Sequence, residues 1–310
     1  MEKISFDDLT GIDEATSYLA TGFKDTEIGQ IVTDQRGRLY TVDIPNYAGS
    51  PERWHLTSPD ALAIALLELG QLINITLNTI VKGLHVKPAR AIVSSPIAPH
   101  VVEQSSDHYS FQITGKGRKQ DSIGQIDGTL TIKEDESLPA DKIGDATSEY
   151  VLGEMRQTTF HTDYSAFHEA RRQVEGTTIF AGKECSAVSP IDVLRAAWSH
   201  SQILNGKFLG LKRTEVPFTW LKETALKRYG NDFSGRISMA TSMESAEVVK
   251  YGDSQKPYFE IRYVFEAKDP SSPPGKLYEG YLELALPLGQ MPAEKLSAFA
   301  GYDNGKRHYF

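Results

Sequence analysis

The sequence predicts an α+β protein made of two similar halves, and three observations lead to this prediction. A helical segment at residues 58–74 recurs without a gap at residues 189–205. Segments with the alternation typical of β-strands lie before and after each copy. The chain has 310 residues, enough for two domains that each bury a core. A duplicated chain of this kind can keep one active site and lose the other.

The two helical copies share individual residues as well as a pattern. The identical pairs are Ser58 and Ser189, Pro59 and Pro190, Ala65 and Ala196, Gln71 and Gln202, and Asn74 and Asn205. Each copy opens with a serine at the N-cap position and a proline in the first turn, which are residues that helix starts favour. Apolar residues then surround each segment almost completely. This pattern predicts two helices that are buried on most of their surface.

Glycines predict where the two helices end, and alternating segments predict the strands. We expect the first helix to continue to about Val81 and stop at Gly83, and the second to stop at Gly210. Strands are expected at residues 29–33, 38–42, 91–94, 109–113, 128–132, 177–180, 235–239, 258–265 and 281–286. Short antiparallel strands around one buried helix describe a hotdog fold, so two copies predict a double hotdog. The N-terminal hotdog is expected at residues 1–140, the C-terminal hotdog at 150–310, and a polar linker at 133–149.

Composition and charge exclude several classes of partner. The formal net charge is −8 and no run of Lys or Arg exceeds a pair, so we expect no nucleic acid and no membrane partner. The single cysteine, Cys185, excludes an intramolecular disulfide and a metal site with several cysteines. The first residues lack the apolar region of a secretory signal, and the apolar run at 61–77 is broken and short for a membrane span. We expect a cytoplasmic protein.

The buried helix is where this fold places its chemistry. Its N-terminus directs backbone N–H groups at the carbonyl of an acyl thioester, the substrate that hotdog enzymes usually take. Dehydratases of this fold carry Glu or Asp four residues before a helix Gln. Gln71 and Gln202 place Leu67 and Trp198 at that position, so the sequence disfavours a dehydratase.

Polar residues present in only one helical copy are the catalytic candidates. Glu68 lies three residues before Gln71 and suits a displaced acid or base, or else a carboxylate that reaches solvent between the halves. Asp192, Arg195 and His200 have no counterpart of the same type in the first helix. Arg195 suits a bound phosphate or carboxylate, or a surface pair with a neighbouring acid. His200 suits a base near neutral pH, or a hydrogen-bonded core histidine.

Substrate-binding candidates come from the shared amides and from the loop before the first helix. Gln71, Gln202 and Asn205 either contact substrate or tie their helices to the sheet. Trp54 and His55 occupy the loop that often borders the acyl channel in this fold, and Trp54 is either a lid or a core anchor.

A polar stretch at residues 154–172 supplies one weaker catalytic candidate, Tyr164. We favour a solvated loop for this stretch. His161 and His168 are seven residues apart, which is not the spacing of a zinc site. We therefore predict no metal.

The Ser-Pro start of each buried helix and the Gln-x-x-Asn near each helix middle resemble the avirulence D family of plant-pathogenic bacteria. The resemblance covers the whole chain. It implies a secondary-metabolism enzyme that joins a β-ketoacyl chain to a ketose such as xylulose, giving a syringolide-type glycolipid elicitor. Related architecture occurs in the A-factor synthase family. The acyl donor would be a coenzyme A or acyl carrier protein thioester, with no other cofactor, and the chain is compatible with a homodimer.

Two other classes of function stay open. The same cleft suits a thioesterase, decarboxylase, isomerase or hydratase acting on polyketide acyl thioesters. A non-catalytic acyl-ligand-binding protein is the third class. The chain lacks a Gly-x-Gly-x-x-Gly loop and a Gly-x-Ser-x-Gly elbow, which argues against a dinucleotide enzyme and a serine hydrolase.

Overall fold

The computed structural model describes the chain in separate segments. They are residues 27–34, 37–42, 61, 65, 80–119, 121–133, 150–151, 155–162, 169–180, 183–186, 190–209, 219–229, 236–251, 256–269, 275–291, 293–302 and 307–309. Within these segments, fifteen strands form one sheet, and each described pairing is antiparallel.

The strands are numbered in chain order. They are β1 (Glu27–Asp34), β2 (Gly37–Val42), β3 (Ile80–Arg90), β4 (Ser94–Gln104), β5 (His108–Lys116), β6 (Ile123–Lys133), β7 (Tyr150–Val151), β8 (Met155–Thr162), β9 (Glu169–Phe180), β10 (Lys183–Ser186), β11 (Trp220–Arg228), β12 (Arg236–Tyr251), β13 (Lys256–Lys268), β14 (Lys276–Pro287) and β15 (His308–Tyr309). The helices with described bounds are α1 (Pro190–Leu209) and α2 (Ala293–Leu296), with 3₁₀ turns at Leu288–Gln290 and Ser297–Tyr302.

The two halves of the chain arrange their strands in the same order. The N-terminal half runs β1–β2–β4–β5–β6–β3 across the sheet. The C-terminal half runs β8–β9–β12–β13–β14–β11. The halves meet where β3 pairs with β11, and again through β7, which pairs with both β1 and β9. Each of these six strands in one half therefore has a counterpart in the other at the same place in the order, and β7, β10 and β15 lie outside this correspondence.

Helix α1 lies against β9, β12, β13 and β14. It begins at Pro190 and ends at Leu209, directly before Gly210, as the proline and glycine signals predict. Its described apolar side chains are buried on several sides of the helix. They are Val193, Leu194, Ala196, Ala197, Trp198 and Leu204. Burial of each large side chain contributes roughly 1.5–3 kcal/mol, so packing against the sheet rather than helix propensity stabilises α1.

Each half also contains a glycine that faces an aromatic ring on the neighbouring strand. Gly128 on β6 is opposite Phe111 on β5, and Gly280 on β14 is opposite Phe265 on β13. Both rings are buried. A methyl group at either glycine would meet ring atoms, so the ring fills the space that a side chain would occupy.

Three expectations about local structure are wrong. The strand expected at 91–94 is absent, because residues 91–93 form the connection between β3 and β4, and β4 begins at Ser94. Residues 80–90 form β3, so the first helix does not reach Val81, and Gly83 lies inside a strand. Gly83 pairs with Thr131 on one side and Lys227 on the other, so backbone partners from two strands outweigh the helix-stop signal. The stretch at 154–172 is also not one solvated loop, because β8 and the start of β9 form a ladder there.

An antiparallel sheet with a helix packed against four of its strands fits a hotdog fold. In the first predicted helix, the structure describes Ala61 and Ala65, both helical and buried. The linker prediction falls outside the described residues except for Lys133, which ends β6, and the domain boundaries stay predictions. In the described part of the chain, no helix combines the length and apolar character needed to cross a membrane.

Candidate functional site

His200 lies in the middle of α1 and is fully buried. Its Nδ1 atom is 2.8 Å from Oγ1 of Thr241 on β12, and Thr241 is fully buried as well. A hydroxyl group both donates and accepts, so this contact is satisfied with either tautomer of the imidazole. The environment fits the interpretation of His200 as a hydrogen-bonded core histidine.

Asn205 is the second polar residue that α1 carries into the core. The Tyr263 hydroxyl on β13 donates a hydrogen bond to Asn205 Oδ1, and both residues are fully buried. Burial raises the pKa of Tyr263 well above its ordinary value, so the hydroxyl stays protonated and keeps donating. Asn205 Nδ2 is buried without a hydrogen-bond partner in the described part of the chain.

These two contacts position α1 relative to the sheet. His200 contacts β12 and Asn205 contacts β13, so polar contacts hold the helix at two positions along its axis and on two sides. Buried hydrogen bonds of this kind specify one arrangement, because sliding or rotating the helix would leave each group unsatisfied. His200 and Asn205 therefore orient the helix that also carries Asp192, Arg195 and Gln202.

The remaining candidates are only partly described. Asp192, Arg195 and Gln202 lie in α1 at spacings that place them along one side of the helix. The structure describes their helix positions alone. The other candidates lie outside the described residues. They are Trp54, His55, Glu68, Gln71 and Tyr164.

A cluster that the sequence did not reveal lies on the other face of the sheet, where the two halves meet. His85 Nε2 on β3 is 2.8 Å from Glu223 Oε1 on β11. The Tyr281 hydroxyl on β14 donates to the same oxygen atom. We call these three residues the junction cluster. His85 and Glu223 are half-buried, so solvent reaches the edge of the cluster.

The junction cluster holds a negative charge beside a neutral phenol. Burial acts to raise the pKa of Glu223, but hydrogen bonds from Tyr281 and His85, with positive charge from His85 and Lys87, outweigh it and lower the pKa. Burial and the hydrogen bond to Glu223 raise the pKa of Tyr281 to about 12. Glu223 is therefore an ionised acceptor at neutral pH, and Tyr281 is a protonated donor.

A groove of about 530 Å³ runs over the same face, with Tyr281 in its wall. Small residues form much of its lining, including Ala225, Ala240 and Gly280. At its rim, Lys276 Nζ lies 2.8 Å from Glu279 Oε2. Acidic and basic groups at the rim therefore neutralise one another, and the groove offers no single sign of charge to a ligand.

A second ionic network on this face holds the C-terminal strand. Lys222 Nζ is 2.7 Å from Oε1 of Glu260, whose side chain is 5% exposed. Burial raises the pKa of Glu260 although Lys222 opposes the effect. Arg307, next to β15, contacts Glu247 at 2.9 Å and Glu283 at 3.1 Å. Among the described residues, no group of three His, Cys, Asp or Glu side chains is placed to hold a metal ion.

Comparison with known proteins finds similarity in chain path only. No protein-family model and no curated protein sequence matches the chain. Three similar solved structures are the TesB protein of Mycobacterium avium subsp. paratuberculosis, a protein of unknown function with a hot dog fold from Alicyclobacillus acidocaldarius, and the dehydratase domain of the polyketide PpsC from Mycobacterium tuberculosis.

The similarity is long but shallow in each case. The TesB protein is 11% identical, with 80% of this chain and 93% of that chain covered and a TM-score of 0.46. The Alicyclobacillus protein is 9% identical, with 86% of this chain and 97% of that chain covered and a TM-score of 0.48. The dehydratase domain is 11% identical, with 84% of this chain and 98% of that chain covered and a TM-score of 0.42. At these identities and TM-scores, the similarity does not decide the fold or the activity. The helix and the strand order are the observations that bear on the fold.

Proposed function

We propose that this protein is a double hotdog enzyme that acts on an acyl thioester. The observation that carries the proposal is α1, a helix of 20 residues that packs against β9, β12, β13 and β14. The backbone N–H groups of its first turn have no hydrogen-bond partners within the helix. These groups polarise a carbonyl placed against them. The shared strand order of the two halves supports the duplicated architecture.

Asp192 and Arg195 are the proposed reacting and binding groups. Both lie in the first two turns of α1, near the N–H groups that would hold the thioester carbonyl. In this proposal Asp192 activates the acceptor hydroxyl as a general base, and Arg195 holds an anionic part of the substrate. His200 and Asn205 act as positioning residues, because their contacts set the orientation of the helix.

Hydrolysis of the thioester is the first candidate reaction. Water is then the acceptor, and the mechanism needs only the helix N-terminus and one base. Transfer to a ketose, giving a syringolide-type product, is the second candidate. The Ser-Pro and Gln-x-x-Asn spacing of both helical segments favours it.

One assay separates these reactions. Purified protein is incubated with saturated and β-ketoacyl coenzyme A thioesters, with and without xylulose, while free thiol and product mass are followed. Thiol release without sugar supports a thioesterase, and release only with sugar supports the condensing reaction. A mass change of the acyl chain without thiol release contradicts both candidates and points to a decarboxylase or hydratase. Binding without any turnover overturns the enzymatic proposal.

Variants test the assigned residues. Asp192→Asn should lower kcat by about 100-fold, since general bases contribute factors of 10² to 10⁴. Arg195→Gln should chiefly raise KM, because it removes a substrate contact. Glu294→Gln on the exposed helix α2 is the matched control and should leave both constants unchanged. Wild-type rates in both α1 variants would contradict the assignment.

A further inference from the structure

The face of the sheet that points away from α1 differs between the two halves of the chain. Thr241 and Tyr263 contact α1, and successive side chains of a strand point to opposite faces. Ser242 and Val264 therefore lie on the face away from the helix, which we call the outer face. The groove described above lies on this face.

Strand register aligns two rows of outer-face side chains in each half. In the C-terminal half, the first row is Ala225, Tyr281, Val264 and Ser242, and the second row is Lys227, Glu279, Glu266 and Ala240. In the N-terminal half, the corresponding rows are His85, Thr129, Ser110 and Glu103, and Lys87, Asp127, Gln112 and His100. Every one of these positions is polar in the N-terminal half, whereas three are apolar in the C-terminal half.

The three apolar residues, Ala225, Val264 and Ala240, line the groove and are half-buried. A solvated face of an antiparallel sheet is normally polar, as in the N-terminal half, where Gln112 Nε2 donates to Asp127 Oδ1 at 2.9 Å. The C-terminal half departs from this pattern at the groove. Its volume of about 530 Å³ lies within the range of small-molecule sites.

The junction cluster keeps the groove open. The Tyr281 hydroxyl donates to Glu223, and the Arg262 guanidinium lies 3.7 Å from the centre of the Tyr281 ring. Glu223 and Arg262 are both opposite Glu283, which is two residues along β14 on the side away from Glu279. The ring therefore leans away from the second row, and the space between the two rows stays free.

Charge and shape restrict what the groove can bind. Its charged lining residues balance one another, because Lys276 Nζ lies 2.8 Å from Glu279 and 3.7 Å from Glu266, and Lys227 offsets the second carboxylate. A charged ligand therefore gains no net attraction. The groove crosses four strands that are about 4.8 Å apart, so it is about 14 Å long, and its two rows are about 7 Å apart.

We propose that this groove binds an uncharged, elongated apolar small molecule. The ligand packs on Ala225, Val264 and Ala240 and against the Tyr281 ring. The sheet lies between the groove and α1, so this ligand is additional to the acyl thioester of the proposed reaction.

Fluorescence titration of the full chain with N-phenylnaphthylamine tests the proposal. This uncharged probe is weakly fluorescent in water and brightens in an apolar site, and it should bind saturably. Its sulfonate derivative has the same rings and one negative charge. It should bind more weakly, because the sulfonate loses hydration where there is no net positive charge. Tighter binding of the sulfonate derivative overturns the proposal.

Variants test the location of the probe. Val264→Trp should weaken binding of the uncharged probe by at least about tenfold, because the indole occupies the groove. Ser110→Trp is the matched control, since it adds the same side chain at the corresponding place in the N-terminal half and should leave the affinity unchanged. Tyr281→Phe should also weaken binding, although it makes the wall more apolar, because the ring loses its bond to Glu223 and turns into the groove.

Four results decide against the proposal or part of it. Absence of saturable binding by the wild type overturns it, and so does equal affinity of Val264→Trp and the wild type. Unchanged affinity of Tyr281→Phe overturns the role given to the junction cluster. If sedimentation shows that the wild type self-associates and Val264→Trp does not, a second copy covers the groove and the small-molecule site is overturned. Circular dichroism confirms that each variant is folded.

Discussion

Gly280 is a position where the smallest possible substitution should have a large effect on stability. A Cβ atom there would lie 2.1 Å from the carbonyl oxygen of Ala225 and 2.5 Å from Cζ of Phe265. Both distances are far below contact distance. The Ala225 carbonyl belongs to β11, which is paired with β14 at this position, so it cannot withdraw without breaking the ladder. Overpacking costs about 1–3 kcal/mol, and we expect about 3 kcal/mol for Gly280→Ala because backbone must move.

Gly128→Ala in the other half should destabilise the protein less than Gly280→Ala does. Its three nearest atoms are all in the ring of Phe111, the closest at 2.3 Å, with no backbone atom among them. The cost should therefore be smaller, and Phe111→Leu should partly relieve it, so the double variant is more stable than the sum of its single changes. Phe265→Leu should not rescue Gly280→Ala to the same extent, since the backbone contact remains.

Thermal unfolding followed by circular dichroism measures these effects. About 3 kcal/mol corresponds to a fall in Tm of roughly 5 °C, because the unfolding entropy of a 310-residue chain is about 0.65 kcal/mol/K. Gly301→Ala is the control, because nothing lies within 4 Å of its added Cβ, and it should stay within about 0.5 kcal/mol of wild type. If Gly280→Ala unfolds at the same temperature as Gly301→Ala, the close approach of β11 and β14 is refuted.

Further predictions concern pH and buried hydrogen bonds. The pKa of Glu223 is lowered by folding, so the ionised carboxylate stabilises the folded state above pH 4.5, and this stabilisation is lost as the pH falls through the lowered pKa. In urea titrations, the difference in unfolding free energy between wild type and Glu223→Gln should therefore grow as the pH rises. The pKa of Glu260 is raised by folding, so the wild type should lose stability relative to Glu260→Gln as the pH rises from 4.5 through the raised pKa. If the stability of wild type and variant changes with pH at the same slope for both glutamates, the two directions are contradicted. Tyr263→Phe should lower the free energy of unfolding, measured in urea, by about 1–3 kcal/mol, because Asn205 loses its hydrogen-bond donor. Thr241→Val should lower it by a similar amount, because His200 loses its partner. If both variants are as stable as the wild type, neither hydrogen bond forms in the folded protein.

Several elements of the fold could be predicted because their signals are local. Pro190 and Gly210 mark the ends of α1, and the alternation at 109–113 and 128–132 falls within β5 and β6. A helix start or an amphipathic strand depends on residues a few positions apart, so a single sequence contains the whole signal.

Other elements could not be predicted because their signals come from elsewhere in the chain. The prolines of β4 argue against a strand when read alone, but β4 forms a ladder with β5 in which Pro99 lies opposite Ile113. Gly83 reads as a helix stop and lies instead between two strands. In both cases a partner strand supplied the backbone hydrogen bonds that decided the outcome.

The candidate site divides in the same way. The sequence by itself determined that a largely apolar helix would carry His200 and Asn205 into a core, because helical periodicity and apolar content require burial. Only the tertiary structure decided their partners, Thr241 and Tyr263, and the junction cluster, where His85 and Glu223 are 138 residues apart. Such contacts depend on which strands are neighbours and in which register. Strand neighbours and register follow from the packing of the whole sheet, whereas the identity of each residue records only its own local preference.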